Sequence, residues 1–143
     1  MREENAQALV ELGFTLPILI ALLLGSAELA RAAYMAIEVS NAAKAAVQYG
    51  VQNSATAADT TGMQTAATNE APNITLGTTT VSTSYICSNG TSTSGSPPTC
   101  TNASVETILT VQTQATFTPV IHIPGMPGSI AIHGQAVQKC LQC

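Results

Sequence analysis

The sequence predicts an α+β protein: a long N-terminal helix whose first half is lipid-soluble, followed by a small antiparallel β-sheet. Three observations carry this expectation. An uncharged apolar run, LGFTLPILIALLLGSA, lies between Glu11 and Glu28. An alanine-rich stretch from Glu28 to Val51 continues it without a break. Further on, the chain turns to β-branched residues in alternation, embedded in threonine and serine.

Composition narrows the classes of function. Only 8% of the 143 residues are charged, against about 25% in an ordinary soluble domain. The basic residues are Arg2, Arg31, Lys44 and Lys139, scattered in a chain of formal net charge -4. Nucleic-acid surfaces need clustered Lys and Arg, so that class is excluded. Disorder is excluded too, because disordered chains are polar and highly charged. From Ala71 onward only Glu106 and Lys139 carry charge. A surface so poor in charge invites association, and the chain is expected in a membrane, in a polymer, or in both.

The apolar run measures about 24 Å as a helix, against a hydrocarbon thickness near 30 Å. It spans with help from its flanks, Gln7 to Val10 and Leu29 to Ala33. A buried soluble helix and a cleaved secretory signal are the weaker readings. The rest of the chain has few aromatics to cover such a helix, and the start Met1-Arg2-Glu3-Glu4 is not the basic one a signal needs. Alanine, the best helix former, carries the helix onward. Glu28 and Arg31 stand at i,i+3, where opposite charges meet. Leu29, Ala33, Ala36 or Ile37, and Ala43 or Lys44 read as a narrow stripe of mostly small residues, which lets another backbone come close. Gly50 suits a C-terminal stop. The helix is thus expected over residues 7–51, roughly 65 Å long, with Pro17 kinking it or locally breaking its hydrogen bonds. Glu11 is the odd residue, since a carboxylate beside an apolar span usually has a partner or a function.

Residues 52–143 form the second unit. A polar stretch to Asn73 reads as a loop with a short helix around Met63 to Asn69. Strands follow over Thr78–Cys87, Val105–Phe117 and Ile130–Cys140. The second alternates with Val105, Thr107, Leu109, Val111, Thr113, Ala115 and Phe117 on one face, and the third with Ile130, Ile132, Gly134 and Ala136. A Pro/Gly loop from Pro119 joins the last two. The sheet is expected to rest on the second half of the helix.

So small a sheet has a thin core, which brings in the cysteines. Cys87 and Cys100 bracket the turn-rich SNGTSTSGSPPT, and Cys140 and Cys143 form a terminal CLQC. Pairing 87–100 with 140–143 is favoured, and a bridge from one tail cysteine to the loop stays open. A Cys₄ zinc site is the rival, because Cys-x₂-Cys fits half of one, but the wide spacing of the other half does not. Thioredoxin-like chemistry needs its CxxC at a helix N-terminus. Disulfides imply an oxidising compartment. His122 and His133 flank the Pro/Gly loop without a third metal ligand. Asn73, Asn89 and Asn102 match the glycosylation pattern, as chance allows in so Thr/Ser-rich a chain. No catalytic constellation stands out, and neither enzymatic activity nor a cofactor or metal is expected.

Four elements together carry a resemblance: Gln7-Ala-Leu-Val-Glu-Leu, then Leu16-Pro17 in its apolar run, Gly25-Ser-Ala-Glu28-Leu-Ala-Arg31, and Ser40-Asn-Ala-Ala-Lys44. They resemble TadE-like pilus-assembly proteins, with weaker echoes in VQTQATFTPV and IPGMPG. The resemblance implies a type IV pilin-like architecture and a structural role, as a pilin or minor pilin of a tight-adherence pilus that polymerises through its N-terminal helix. It implies a leader at residues 1–6, cut by a prepilin peptidase between Ala6 and Gln7. Glu11 then becomes the fifth mature residue and pairs with the free N-terminal amine of a neighbouring subunit. Glu28 and Arg31 are further assembly candidates. Ala6 stands where the family has Gly, and Glu3 and Glu4 stand where bases are usual. The implied partners are further copies or other pilins, the inner membrane, and the pilus assembly machinery. The implied locations are the bacterial inner membrane for the precursor and a filament or cell surface after assembly. The alternative is a membrane-anchored monomeric accessory protein of a pilus or secretion machine.

Overall fold

Leucine and then alanine carry one helix, α1, from Arg2 to Gly50, about 73 Å at 1.5 Å per residue. The structure is a computed structural model that describes residues 2–91, 93, 98–121, 127–140 and 143, with side chains from Gln7 onward. The helix begins earlier than the expected Gln7 and runs unbroken through Pro17. The proline ring removes one N–H and crowds the carbonyl of Gly13 four positions back, yet the helix continues.

The expected loop with one short helix is instead two helices, α2 (Ser54–Ala58) and α3 (Thr60–Glu70). Their caps explain the difference. Asn53 Oδ1 accepts from Thr56 N at 2.9 Å, while Thr56 Oγ1 accepts from Asn53 N at 3.0 Å, a reciprocal capping box. Asp59 Oδ1 accepts from Gly62 N at 2.9 Å and so caps α3. The chain thereby folds back on α1 and buries Met63 and Ala67 beside Ala42 and Ala46.

The Tyr49 hydroxyl donates to Asp59 Oδ2 at 2.8 Å and locks this return. The Gly62 N–H, then the Tyr49 hydroxyl, hold the Asp59 carboxyl below the usual aspartate range. The hydrogen bond to Asp59, and after it burial, push the Tyr49 phenol above its own range. Asp59 therefore takes up its proton first in the unfolded chain. Its contribution is complete above the ordinary aspartate range and is lost as pH falls through the lowered one. The Tyr49 contribution is complete below the ordinary tyrosine range and is lost as pH rises through the raised one. Melting of the fold followed by circular dichroism is expected to shift down between about pH 5 and pH 2, and Asp59→Asn to flatten that dependence.

Three strands follow: β1 (Thr80–Cys87), β2 (Val105–Phe117) and β3 (Ile130–Cys140). They form one antiparallel sheet in the order β1-β2-β3. Val81 pairs with Val111, and Val111 with Ala136. β1 starts two residues later than expected. Ahead of it Leu76 bridges Ala115, and Gly77 N donates to Gln114 O at 2.7 Å. The alternation in β2 holds from Leu109 onward: Leu109, Val111, Thr113, Ala115 and Phe117 are buried, while Gln112 and Thr116 are exposed. Val105 at the start of β2 and Ile130 at the start of β3, expected on the inner face, are exposed, and Thr107 is partly buried, because these strand ends reach past the helix contact.

That face lies along α1 and runs back down it. A Cβ on Gly50 would stand 3.2 Å from Leu109, Thr113 Oγ1 donates to Val39 O at 2.8 Å, and the Arg31 guanidinium carbon sits 5.6 Å from the Phe117 ring centre. Leu109 to Phe117 measures about 26 Å as a strand, and Gly50 to Arg31 about 28 Å as a helix, so the two elements keep step. The buried face of α1 is Val39, Ala42, Ala43, Ala46 and Val47, ending at Gly50. This corrects the expected stripe. Ala36 is partly buried and Ala43 fully, but Leu29, Ala33, Ile37 and Lys44 are exposed. The side that packs was selected by smallness, because it must admit both a sheet and α3.

Candidate functional site

From Gln7 to Ala27 every side chain of α1 is exposed, including Leu9 at 69%, Phe14 at 73% and Leu22 at 66%. Among the described residues nothing buries this segment, which is apolar and long enough to cross a membrane. Its length, about 31 Å, matches a hydrocarbon core of about 30 Å. Its hydroxyl residues satisfy themselves locally: Thr15 Oγ1 donates to Glu11 O at 2.9 Å and Ser26 Oγ to Leu23 O at 2.8 Å. Such bonds let polar side chains enter an apolar medium at little cost.

Glu11 is the sole charge between Gln7 and Ala27. Among the described residues nothing pairs with its carboxylate. Gln7 is exposed one turn before it. The backbone is helical across Ala6 and Gln7, and the side chain of Ala6 lies outside the description.

Glu28 and Arg31 stand about 25 Å along the helix from Glu11, so the three are not brought together. They serve one another instead. Arg31 Nη1 donates to both Glu28 oxygens at 3.1 Å, and Val120 N donates to Glu28 Oε1 at 3.3 Å. With Phe117 under the guanidinium, this cluster fastens the end of β2 to the helix where the apolar span stops.

The cysteines lie toward the opposite end of the domain. Cys87 is bonded to Cys100 and Cys140 to Cys143, with Cα separations of 5.7 and 5.6 Å. The sulfur of Cys140 lies 3.4 Å from Val51 O. Glu106 and Lys139, the two charges after Glu70, form an ion pair at this same end of β2 and β3. His133 is exposed on β3 opposite Gln114, and His122 lies outside the described residues. Among the described residues no group of three or more His, Cys, Asp or Glu suits a metal. Asn73 Nδ2 donates to the Tyr34 hydroxyl at 3.2 Å, and Asn89 Oδ1 accepts from Thr91 N at 3.1 Å.

Sequence reasoning missed the Glu28 contact with Val120 and the depth of the α1–sheet contact. No spacing rule announces the first. Gly134 within an apolar strand was a signal of the second, since a strand glycine often marks a close backbone approach.

The comparisons fall on this helix. No curated protein and no solved structure matches the chain significantly. The model of the family described as TadE-like protein matches residues 6–48, from the Ala6–Gln7 junction through the Glu28–Arg31 pair to the alanines under the sheet. Such a domain points to a pilin-like protein associated with Tad pili, and these are structural proteins, not enzymes. The exposed apolar helix of this chain, with its single carboxylate, thus lies in the part that is similar to TadE-like proteins.

Proposed function

We propose that the chain is a pilin or minor pilin of a tight-adherence pilus and polymerises through α1, with the β-domain turned outward. The observation that carries this reading is the wholly exposed apolar helix from Gln7 to Ala27, interrupted by one carboxylate. A bilayer covers such a helix in a precursor, and neighbouring copies of the same helix cover it in a filament. Removing a leader at Ala6–Gln7 would create an amine one helical turn from the Glu11 position. Pairing that amine with Glu11 of the next subunit offsets the cost of a carboxylate in an apolar filament core. Glu28 and Arg31 hold the β-domain on the helix, so their part in assembly is to fix its orientation. The disulfides suit an exterior, oxidising location.

Glu11→Gln keeps the shape and removes the charge. It is expected to lower the surface-assembled fraction about tenfold, the effect of roughly 1.4 kcal/mol, while the membrane-bound pool persists. Quantifying both fractions from cells carrying each version checks this, and parental levels of assembly would remove Glu11 from the mechanism. The same helix also suits a monomeric membrane anchor in an accessory role, since its length matches a bilayer. In that case Glu11→Gln changes neither fraction.

A further inference from the structure

We infer that the β2–β3 end of the domain enters the surface of the bilayer, so that the membrane-anchored chain contacts lipid at a second place besides its spanning helix. The evidence is an open apolar groove of about 530 Å³ between α1 and this end of the sheet. One wall runs along α1 from Ala21 and Leu24 to Glu28 and Ala32, and the other includes Phe117 and Ile130. The first wall crosses the end of the apolar span, with Ala21, Leu24 and Gly25 inside it and Glu28 and Ala32 beyond it. Ala21 lies about 9 Å along the helix inside Ala27, where the span ends. A groove whose near wall starts inside the hydrocarbon and ends at its edge has its far wall at the membrane surface, not in bulk water. The two are sides of one space, and the helix fixes its depth.

Charge and exposure agree with that placement. Between Glu106 and Lys139 the chain has no Asp, Glu, Lys or Arg. The one ion pair on β2 and β3 lies at their other end, about 33 Å away along the strands. At the near end Val120 is 76% exposed and Ile130 44%, apolar side chains at the helix level where acyl chains and headgroups meet. The occupant of the groove is therefore an acyl chain of the surrounding lipid, continuous with the lipid around Leu22 to Leu24. An insertion of about 5–10 Å is the depth at which interfacial elements settle. The inference needs α1 to span a bilayer and does not depend on polymerisation, so it goes beyond the pilin reading.

The chain has no Trp, so single introduced tryptophans report without background. Val120→Trp, Leu22→Trp and Gln52→Trp are placed in the full chain, reconstituted in vesicles of phosphatidylethanolamine and phosphatidylglycerol with brominated acyl chains. Gln52 is exposed just beyond the distal end of α1. The expected result is that Val120→Trp, at an interfacial depth of about 5–10 Å, is quenched by the brominated chains. Leu22→Trp is also quenched, and Gln52→Trp is not. Quenching of Leu22→Trp with Val120→Trp as bright as Gln52→Trp would overturn the inference and leave the span intact. Blue-shifted but unquenched emission from Val120→Trp would overturn it as well, since protein and not lipid would then fill the groove. An unquenched Leu22→Trp would overturn the membrane span itself.

Discussion

Gly134→Val is expected to destabilise the β-domain by about 2–3 kcal/mol. Gly134 pairs with Thr113 across β2 and β3, directly over the backbone of α1 at Val39. A Cβ at this position would lie 2.5 Å from Val39 O and 2.8 Å from Thr113 Oγ1. Neither neighbour is the free end of a flexible side chain: one is helix backbone, the other is held by its 2.8 Å hydrogen bond to that same carbonyl. The sheet must lift from the helix, at an overpacking cost of about 1–3 kcal/mol plus about 1 kcal/mol for the Thr113 bond. The better strand propensity of valine returns less than about 1 kcal/mol, so the clash wins. Thr113→Val is the control, because it removes only the hydroxyl and should cost about 1 kcal/mol. Denaturation of the full chain in detergent, followed by the strand signal in circular dichroism, measures both. Equal stability of Gly134→Val and the parent would mean that the sheet does not sit on α1 at this distance.

Opening the Cys87–Cys100 bridge should cost about 3 kcal/mol, the loop-entropy value for a closure of this length. The two cysteines stand 13 residues apart, between the end of β1 and the start of β2. Within that connection Gly90, at φ +81°, donates to Cys87 O at 2.8 Å and closes a turn, and Ser88 N donates to Ser104 O at 2.9 Å. β1 is an edge strand exposed along most of its length, so burial cannot substitute for the crosslink. Cys87→Ser with Cys100→Ser is expected to lower the denaturation midpoint of the sheet and to free β1 first, seen as rapid amide exchange at Val81 to Ile86. Cys140 and Cys143 enclose a loop too short for a comparable effect, so their double serine variant should lose less. A larger loss from the tail pair than from the 87–100 pair would contradict this order.

How far the fold was legible depends on where polar and apolar residues contrast. β2 could be read almost residue by residue, because Leu109, Val111 and Thr113 alternate with the polar Thr110 and Gln112, and the period of two leaves no other face to bury. α1 existed unmistakably in its leucines, but its packing side did not. Alanine at 30, 32, 33, 36, 42, 43, 45 and 46 surrounds the helix, so hydrophobicity does not single out a face. The distinguishing residues are Val39, Val47 and Gly50. α2 and α3 hid in a polar stretch whose helices depend on capping by Asn53 and Asp59 rather than on an apolar period. The exposed span and Glu11 were legible because apolarity and lone charge are local properties. The engagement of Glu28 by Val120 was not, since it joins residues 92 positions apart.

On the proposed function, α1 becomes the core of a filament. Shearing filaments from the cell surface and measuring this chain in the purified fraction, against the chain retained in membranes, tests it most directly. The expected result is the chain in the filament fraction, as the chief component for a pilin and as a reproducible trace for a minor pilin. A chain found wholly in the membrane fraction, with filaments present but free of it, would contradict polymerisation and leave α1 an anchor.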